Sequence, residues 1–377
     1  MSMEIVDALL QGQRGRRLLW EFAIASEGQN LATSDERPLL SAMFYASYSI
    51  ESARGDGVVL FCGEQSDVPE VGPAGLARLL EGNELVPVTE TLLQAALARS
   101  VDAARYWQEP DGHDTLLAAP ELVRGLERVA QHISASSAAA QWAAAMDERA
   151  QFRIEFEEQD PVVVPQRTDR KAIDTLLRWK EQLIIAEARA AAERPVPVTA
   201  ALSGEWWSVP DQLLPSSTGV FANKEPVGLS CVEDGFGWER ASAKIMSVPP
   251  AANVLEISTA EDWIHLCREQ GIDVTAQKRH DWYRVTGRDG AWKIPDWLAV
   301  ARRYDGVHLS IAAYLALAGE CLAVDEKFST VIAGWDPDRT FWFTDALRFY
   351  GPAQEWTCLE ANSEDSRWVS SGEASTS

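Results

Sequence analysis

DRKAIDTLLRWKEQLIIAEARAAAERPVP, residues 169–197, decides how the chain is to be divided. Ile173, Leu176, Leu177, Leu183 and Ile184 recur at three- and four-residue steps. That spacing predicts a helix from about Asp169 to Ala192 with those five side chains as its buried face. The helix ends at Glu193-Arg194-Pro195-Val196-Pro197, where alternating prolines fix φ, remove amide donors and make a stiff extended connector. Upstream, helical patterns dominate. Downstream, strands alternate with short helices, and nine of the fifteen tryptophans fall between Trp206 and Trp342. The expected fold class is α+β. A mainly helical domain spans 1–195, and a Trp-rich α+β domain with a small mixed or antiparallel sheet spans 196–350. A flexible acidic tail follows at 351–377.

In the first half, apolar stripes predict helices through Leu18–Ala23, from Pro38 through Ile50, over Ala74–Glu81, from Thr89 to Trp107, around Leu122–Ile133, and over Ser136–Met146. Val58–Cys62 reads as a short buried strand. Phe152, Ile154 and Phe156 alternate with charged residues as a half-exposed strand. In the second half, Val227–Val232 and Val254–Ile257 read as strands, and Trp238–Met246 as a helix. Ser258-Thr259-Ala260-Glu261 reads as a capping box opening a helix that stops at Gly271. Another strand is expected from Val274. Pro295 suits the first turn of a helix through Trp297, and Gly306–Ile311 is a strand. Val331–Trp335 and Phe341–Phe343, flanking Asp336-Pro337-Asp338-Arg339, predict a β-hairpin.

Composition narrows the function classes. A net charge of −23 repels nucleic-acid backbones and anionic membrane surfaces, so duplex binding is not expected. No apolar run approaches the roughly 18 to 20 residues that span a bilayer, and the N-terminus lacks a secretory pattern. The five cysteines, Cys62, Cys231, Cys267, Cys321 and Cys358, are scattered and form no C-x-x-C. Reduced thiols and a cytoplasmic location follow as expectations. His265 and Cys267 stand two apart on a helix and cannot chelate one metal, so no metal site is signalled. Gly235-x-Gly237 lacks the third glycine of a dinucleotide fingerprint and reads as a turn.

Against this acidic background, Gln277–Ser310 is locally basic and aromatic. Arg279, His280, Trp282, Arg284 and Arg288 combine guanidinium donors with rings that stack a planar group, which suits an anionic ligand. These five are the candidate ligand-binding residues, placed on a loop; the alternative is a solvated loop with its tryptophans packed inward. Downstream, His308 shares a strand face with Gly306 and Ser310. His308 and Asp305 are the candidate catalytic residues, weighed against a purely structural histidine.

At Ala104–Gly112, Tyr304–Ser310 and Gly334–Asp338, the sequence resembles a family of uncharacterised proteins from high-GC Gram-positive bacteria. That resemblance implies a two-part architecture and carries no activity. The run Tyr304-Asp305-Gly306 followed by a hydrophobic strand is similar, at the level of fold, to ADP-ribosyltransferase-type domains. The leading expectation is a binding or interaction protein whose C-terminal domain accepts an anionic small molecule or a protein partner. The alternatives are an enzyme acting on a nucleotide-type substrate such as NAD, and a structural component of a larger assembly. Cofactor and oligomeric state are left open.

Overall fold

The computed structural model describes residues 5–31, 36–55, 71–157, 171–235, 237–361 and 366–371. Its fold is α+β. Among the described residues, eight α-helices precede β1: α1 (Ile5–Gln11), α2 (Gln13–Asn30), α3 (Pro38–Arg54), α4 (Pro73–Gly82), α5 (Glu90–Asp102), α6 (Gly112–Leu117), α7 (Val123–Ser134) and α8 (Ser137–Ala140). Then come β1 (Gln151–Phe156), α9 (Ala172–Glu193), β2 (Ser216–Thr218), α10 (Val227–Ser230), β3 (Arg240–Ser247), β4 (Val254–Ile257) and α11 (Ala260–Gln270). The chain continues through β5 (Gly271–Asp273), α12 (Thr275–Thr286), β6 (Ala291–Pro295), α13 (Trp297–Val300), β7 (Gly306–Leu309) and α14 (Ile311–Leu317). It ends with β8 (Leu322–Ala323), β9 (Phe328–Thr330), β10 (Arg339–Trp342), β11 (Arg348–Leu359) and β12 (Arg367–Ser370).

The strands form two sheets, larger than the sequence suggested. Eight strands run in the order β12-β11-β3-β1-β2-β10-β7-β4, and four in the order β5-β6-β9-β8. Among the described strand pairs, β4–β7 and β6–β9 are parallel and the rest antiparallel. The alternation of Phe152, Ile154 and Phe156 is used as expected. β1 pairs with β3 from Gln151↔Met246 to Phe156↔Ala241, and with β2 at Phe152↔Thr218. A strand from before residue 195 therefore lies inside a sheet otherwise built from later residues.

Helix α14 joins the layers. All seven of its residues are buried, the pattern of a helix apolar on every side. It packs against α1 and α2. One buried cluster runs without a break from Leu18, Phe22 and Ile133 through Leu315 to Trp263, Trp297 and Trp335. Burying each of the leucines contributes about 1.5–3 kcal/mol relative to exposure. Gly12 lets the α1–α2 corner lie on this helix, because a Cβ there would stand 2.1 Å from the Leu315 carbonyl oxygen. Three of the buried indoles place their N–H groups on acceptors, whereas the buried Trp292 and Trp356 Nε1 atoms have no hydrogen-bond partner among the described residues. Trp263 donates to Thr330 Oγ1 (3.1 Å), Trp297 to the Ser208 carbonyl (3.1 Å) and Trp335 to the Arg339 carbonyl (2.9 Å).

Several local expectations are corrected. Val227–Val232 contributes the short helix α10, and Trp238–Met246 is occupied mainly by β3. Ala241 and Ala243 favour a helix locally, yet as small buried side chains they let β3 sit between β1 and β11. The capping box is shifted by one residue: Thr259 caps α11 and Asp262 returns the bond. α5 ends at Asp102, and only Ser137–Ala140 of the Ser136–Met146 stretch is α-helical. Pro295 closes β6, and Asp296 caps α13.

No hairpin forms around residues 336–339. β10 pairs with β2 and β7, while the preceding stretch contributes only the bridge Ala318↔Ile332. Residues 348–359 and 367–370 build β11 and β12 at the edge of the large sheet, and from residue 351 onward they fall where a flexible tail was expected. On α9 the buried face is Ala172, Leu176, Leu183 and Ala190, whereas Ile173, Leu177 and Ile184 point outward. The expected strand Val58–Cys62 lies outside the described residues.

Candidate functional site

The basic segment is a helix. Residues 275–286 form α12, whose first free amides, Ala276 and Gln277, donate to the Glu187 carboxylate of α9 at 2.7 and 2.9 Å. A carboxylate at a helix start suits both the orphan donors and the macrodipole. The helix then spends its cations on main-chain carbonyls. Lys278 donates to the Glu205 carbonyl, and burial lowers its pKa to about 8. Arg279 reaches the carbonyls of Arg194 (3.2 Å) and Pro195 (2.6 Å), and His280 contacts Pro195 at 3.1 Å. Arg284 donates to the carbonyls of Trp107 (2.8 Å) and Leu202 (2.9 Å) and pairs with Asp281 at 2.5 Å.

Trp282 is fully buried, donates to the Trp206 carbonyl at 2.8 Å, and meets Trp292 edge-on at 5.2 Å. Arg288 bonds the carbonyls of Ala291 (3.2 Å) and Lys327 (3.0 Å) and lies over the Trp292 ring. Thus the five residues do not converge on one surface. Four of them pin the 194–206 connector, Trp107 or the 327 turn against the helix, and Trp282 anchors it from inside.

His308 and Asp305 also separate. Asp305 holds the start of β7: its carboxylate accepts from the Asn253 amide at 2.9 Å, and its carbonyl accepts from the Phe343 amide at 2.8 Å. Ser310 is the N-cap of α14, accepting from the Ala313 amide. His308 stands in a trio that crosses three strands. Its Nδ1 lies 2.6 Å from Glu256 Oε2 on β4, and its Nε2 lies 3.3 Å from Asp338 Oδ1 at the start of β10. Burial by itself lowers the imidazole pKa, but the hydrogen bonds and charges of Asp338 and Glu256 prevail and raise it to about 9. Glu256 also accepts from the Met146 amide (3.2 Å), and Asp338 from the Gly219 amide (2.6 Å). Through these two contacts the imidazole ties β7 to Glu256 of β4 and to Asp338, the residue before β10.

A further cavity lies elsewhere. About 570 Å³ opens between α5 and the β11–β12 end of the large sheet. Arg99 of α5 and Arg105, three residues past its end, stand on one wall. Trp238, Trp368, Ser230 and Cys358 stand on the opposite wall. Trp238 stacks on Phe156 of β1 with centroids 4.3 Å apart and planes 15° from parallel, and Trp368 tilts against the same ring at 5.9 Å. Asp234 and Gly237, both at positive φ, turn the chain so that Trp238 is presented to the cavity. Arg105 lies 3.9 Å from Asp234, Arg99 is held 3.1 Å from Glu21, and the Cys358 sulfur lies 3.2 Å from the Ser366 hydroxyl.

A second cavity of about 230 Å³ shares Val232 and Trp238 with the first. It runs over the Phe152, Ile154 and Phe156 face of β1 to Asp336 and Arg339, which pair at 2.9 Å. The alternation of β1 was visible in the sequence. Trp238 and Trp368 were not, because the first was read into a helix and the second into a tail. Comparison with family models, with curated proteins and with solved structures finds no match. No helix among the described residues is long and apolar enough to cross a membrane.

Proposed function

We propose that the protein is a binding protein that holds a small planar anion in the cleft between α5 and the β11–β12 end of the sheet. The observation that carries this reading is the pairing of walls: two arginines on one side, and an indole platform formed by Trp238 and Trp368 on the other. A volume of about 570 Å³ falls within the roughly 300–1,000 Å³ of small-molecule sites. Stacking a flat ring on such a platform contributes about 1–3 kcal/mol. Guanidinium groups supply charge-assisted bonds to a phosphate or carboxylate. The net charge of −23 opposes an anion at long range, but that field is screened beyond about 8 Å at physiological ionic strength; at contact an anion would compete with Glu21 and Asp234 for Arg99 and Arg105.

A thermal-shift screen with adenosine monophosphate, NAD, pyridoxal phosphate and indole-3-acetate tests the reading. A member of the panel should raise the melting temperature and slow alkylation of Cys358, read by peptide mass spectrometry, while leaving Cys321 unprotected. Uniform indifference to every planar anion, with Cys358 alkylated at one rate throughout, would refute it.

A further inference from the structure

Helix α9 carries an apolar stripe on the side away from the core. Ile173, Leu177 and Ile184 are 43%, 52% and 53% exposed, and Ala188 continues the line at helical spacing. Their exposure is a consequence of the buried face settling on Ala172, Leu176, Leu183 and Ala190, which pack toward α12 and α13. Isolated exposed leucines need no explanation, but four apolar positions on one side of a helix form a seam, interrupted at its middle by Lys180, which pairs with Asp296, and bordered by the 60% exposed Ile185. Charged residues flank the seam on one side in the order Asp174, Arg178, Glu181, Arg189. Their signs alternate, and the order reverses into its own complement when the helix is turned end to end.

We infer that α9 pairs antiparallel with α9 of a second copy of this chain. With Leu177 set opposite Ile184 of the second copy, Ile173 falls opposite Ala188, so a large side chain meets a small one at each end of the seam. In that register Asp174 lies within two residues, about 3 Å along the axis, of the level of Arg189 of the second copy. Arg178 lies as close to the level of Glu181. Antiparallel helices bring the same flank of each together, so opposite charges face one another throughout. Arg189 is free to take part: its own contact with Glu193 is an exposed pair at 3.8 Å. Arg178 also neighbours Asp211 of its own chain, which lets it bridge the two. Four side chains per copy cover less than the roughly 800 Å² per partner of a stable interface, so the dimer forms with rising concentration and is not permanent.

Sedimentation velocity of the full chain over a concentration series is the test. The expected result is a shift from monomer toward dimer, abolished by Leu177→Glu. Asp174→Arg and Arg189→Asp should each weaken association on the order of tenfold, and the double variant should restore it, since opposite charges again meet. All three positions are exposed, so folding is spared. Three outcomes would overturn the inference: a monomer at every concentration, a dimer that Leu177→Glu leaves intact, or a double variant no tighter than the singles.

Discussion

Replacing His308 by glutamine isolates the strand clamp. In the folded chain the imidazole is buried between Glu256 and Asp338 with its pKa raised to about 9; in the unfolded chain it returns to about 6.5. Because the folded value is the higher, the folded state holds the proton more tightly. The stabilisation is therefore complete below about pH 6.5 and is lost as pH rises through about 9. A difference of this size is worth on the order of 2–3 kcal/mol, discounted for the solvent that still reaches Glu256 and Asp338. His308→Gln keeps hydrogen-bonding capacity and removes the charge. Unfolding free energies of the parent and the variant, from urea titrations, should differ by that amount near pH 6 and converge toward pH 10. NMR titration, with the His308 signal identified by its absence from the variant, should give an imidazole pKa near 9. A free-energy difference that stays constant over the whole range, or a His308 signal titrating below 7, would refute the clamp.

Glu233 offers a second pH signature: burial first, and Asp336 beside it second, raise its pKa to about 8. Stability should fall as pH rises from about 4.5 to 8, and Glu233→Gln should flatten that limb and exceed the parent's melting temperature at pH 9. Trp282→Ala should cost about 3–5 kcal/mol in denaturant unfolding, because it empties a fully buried indole site in the α12 joint. Gly12→Val should lower the melting temperature by overpacking the α1–α2 corner against α14, at a cost of about 1–3 kcal/mol.

Much of the fold was legible where one face of an element repeats. The helical period announced α3, α4, α5, α7 and α9, and the period-two pattern of Phe152, Ile154 and Phe156 announced β1. Pairing was not legible, because alternation along one strand carries no record of its neighbours. RASAKIMS, residues 240–247, is rich in helix-favouring alanine and lysine, yet it becomes β3 because β1 and β11 flank it. The exposed stripe of α9 is a similar case: residues 173, 177 and 184 and residues 172, 176 and 183 form adjacent apolar rows, and only packing chose between them.

The basic segment places its cations on main-chain carbonyls for a chemical reason. Arginine bears five donors, and a helix crossing a loop-rich connector can satisfy them on carbonyls as readily as on a ligand. The cleft was invisible locally because Arg105, Trp238 and Trp368 are far apart in sequence and match no short motif.

The central claim is that the cleft binds a planar anion by stacking on Trp238 and Trp368 and pairing with Arg99 and Arg105. Isothermal titration calorimetry of the panel member giving the largest thermal shift, against the parent chain, Trp368→Ala and Arg105→Glu, tests it most directly. The expected result is one site per chain in the parent and an affinity weakened on the order of tenfold by Trp368→Ala, the loss of one stacking partner. Arg105→Glu should weaken it further by reversing a charge at the wall. Equal affinities in all three chains would contradict it.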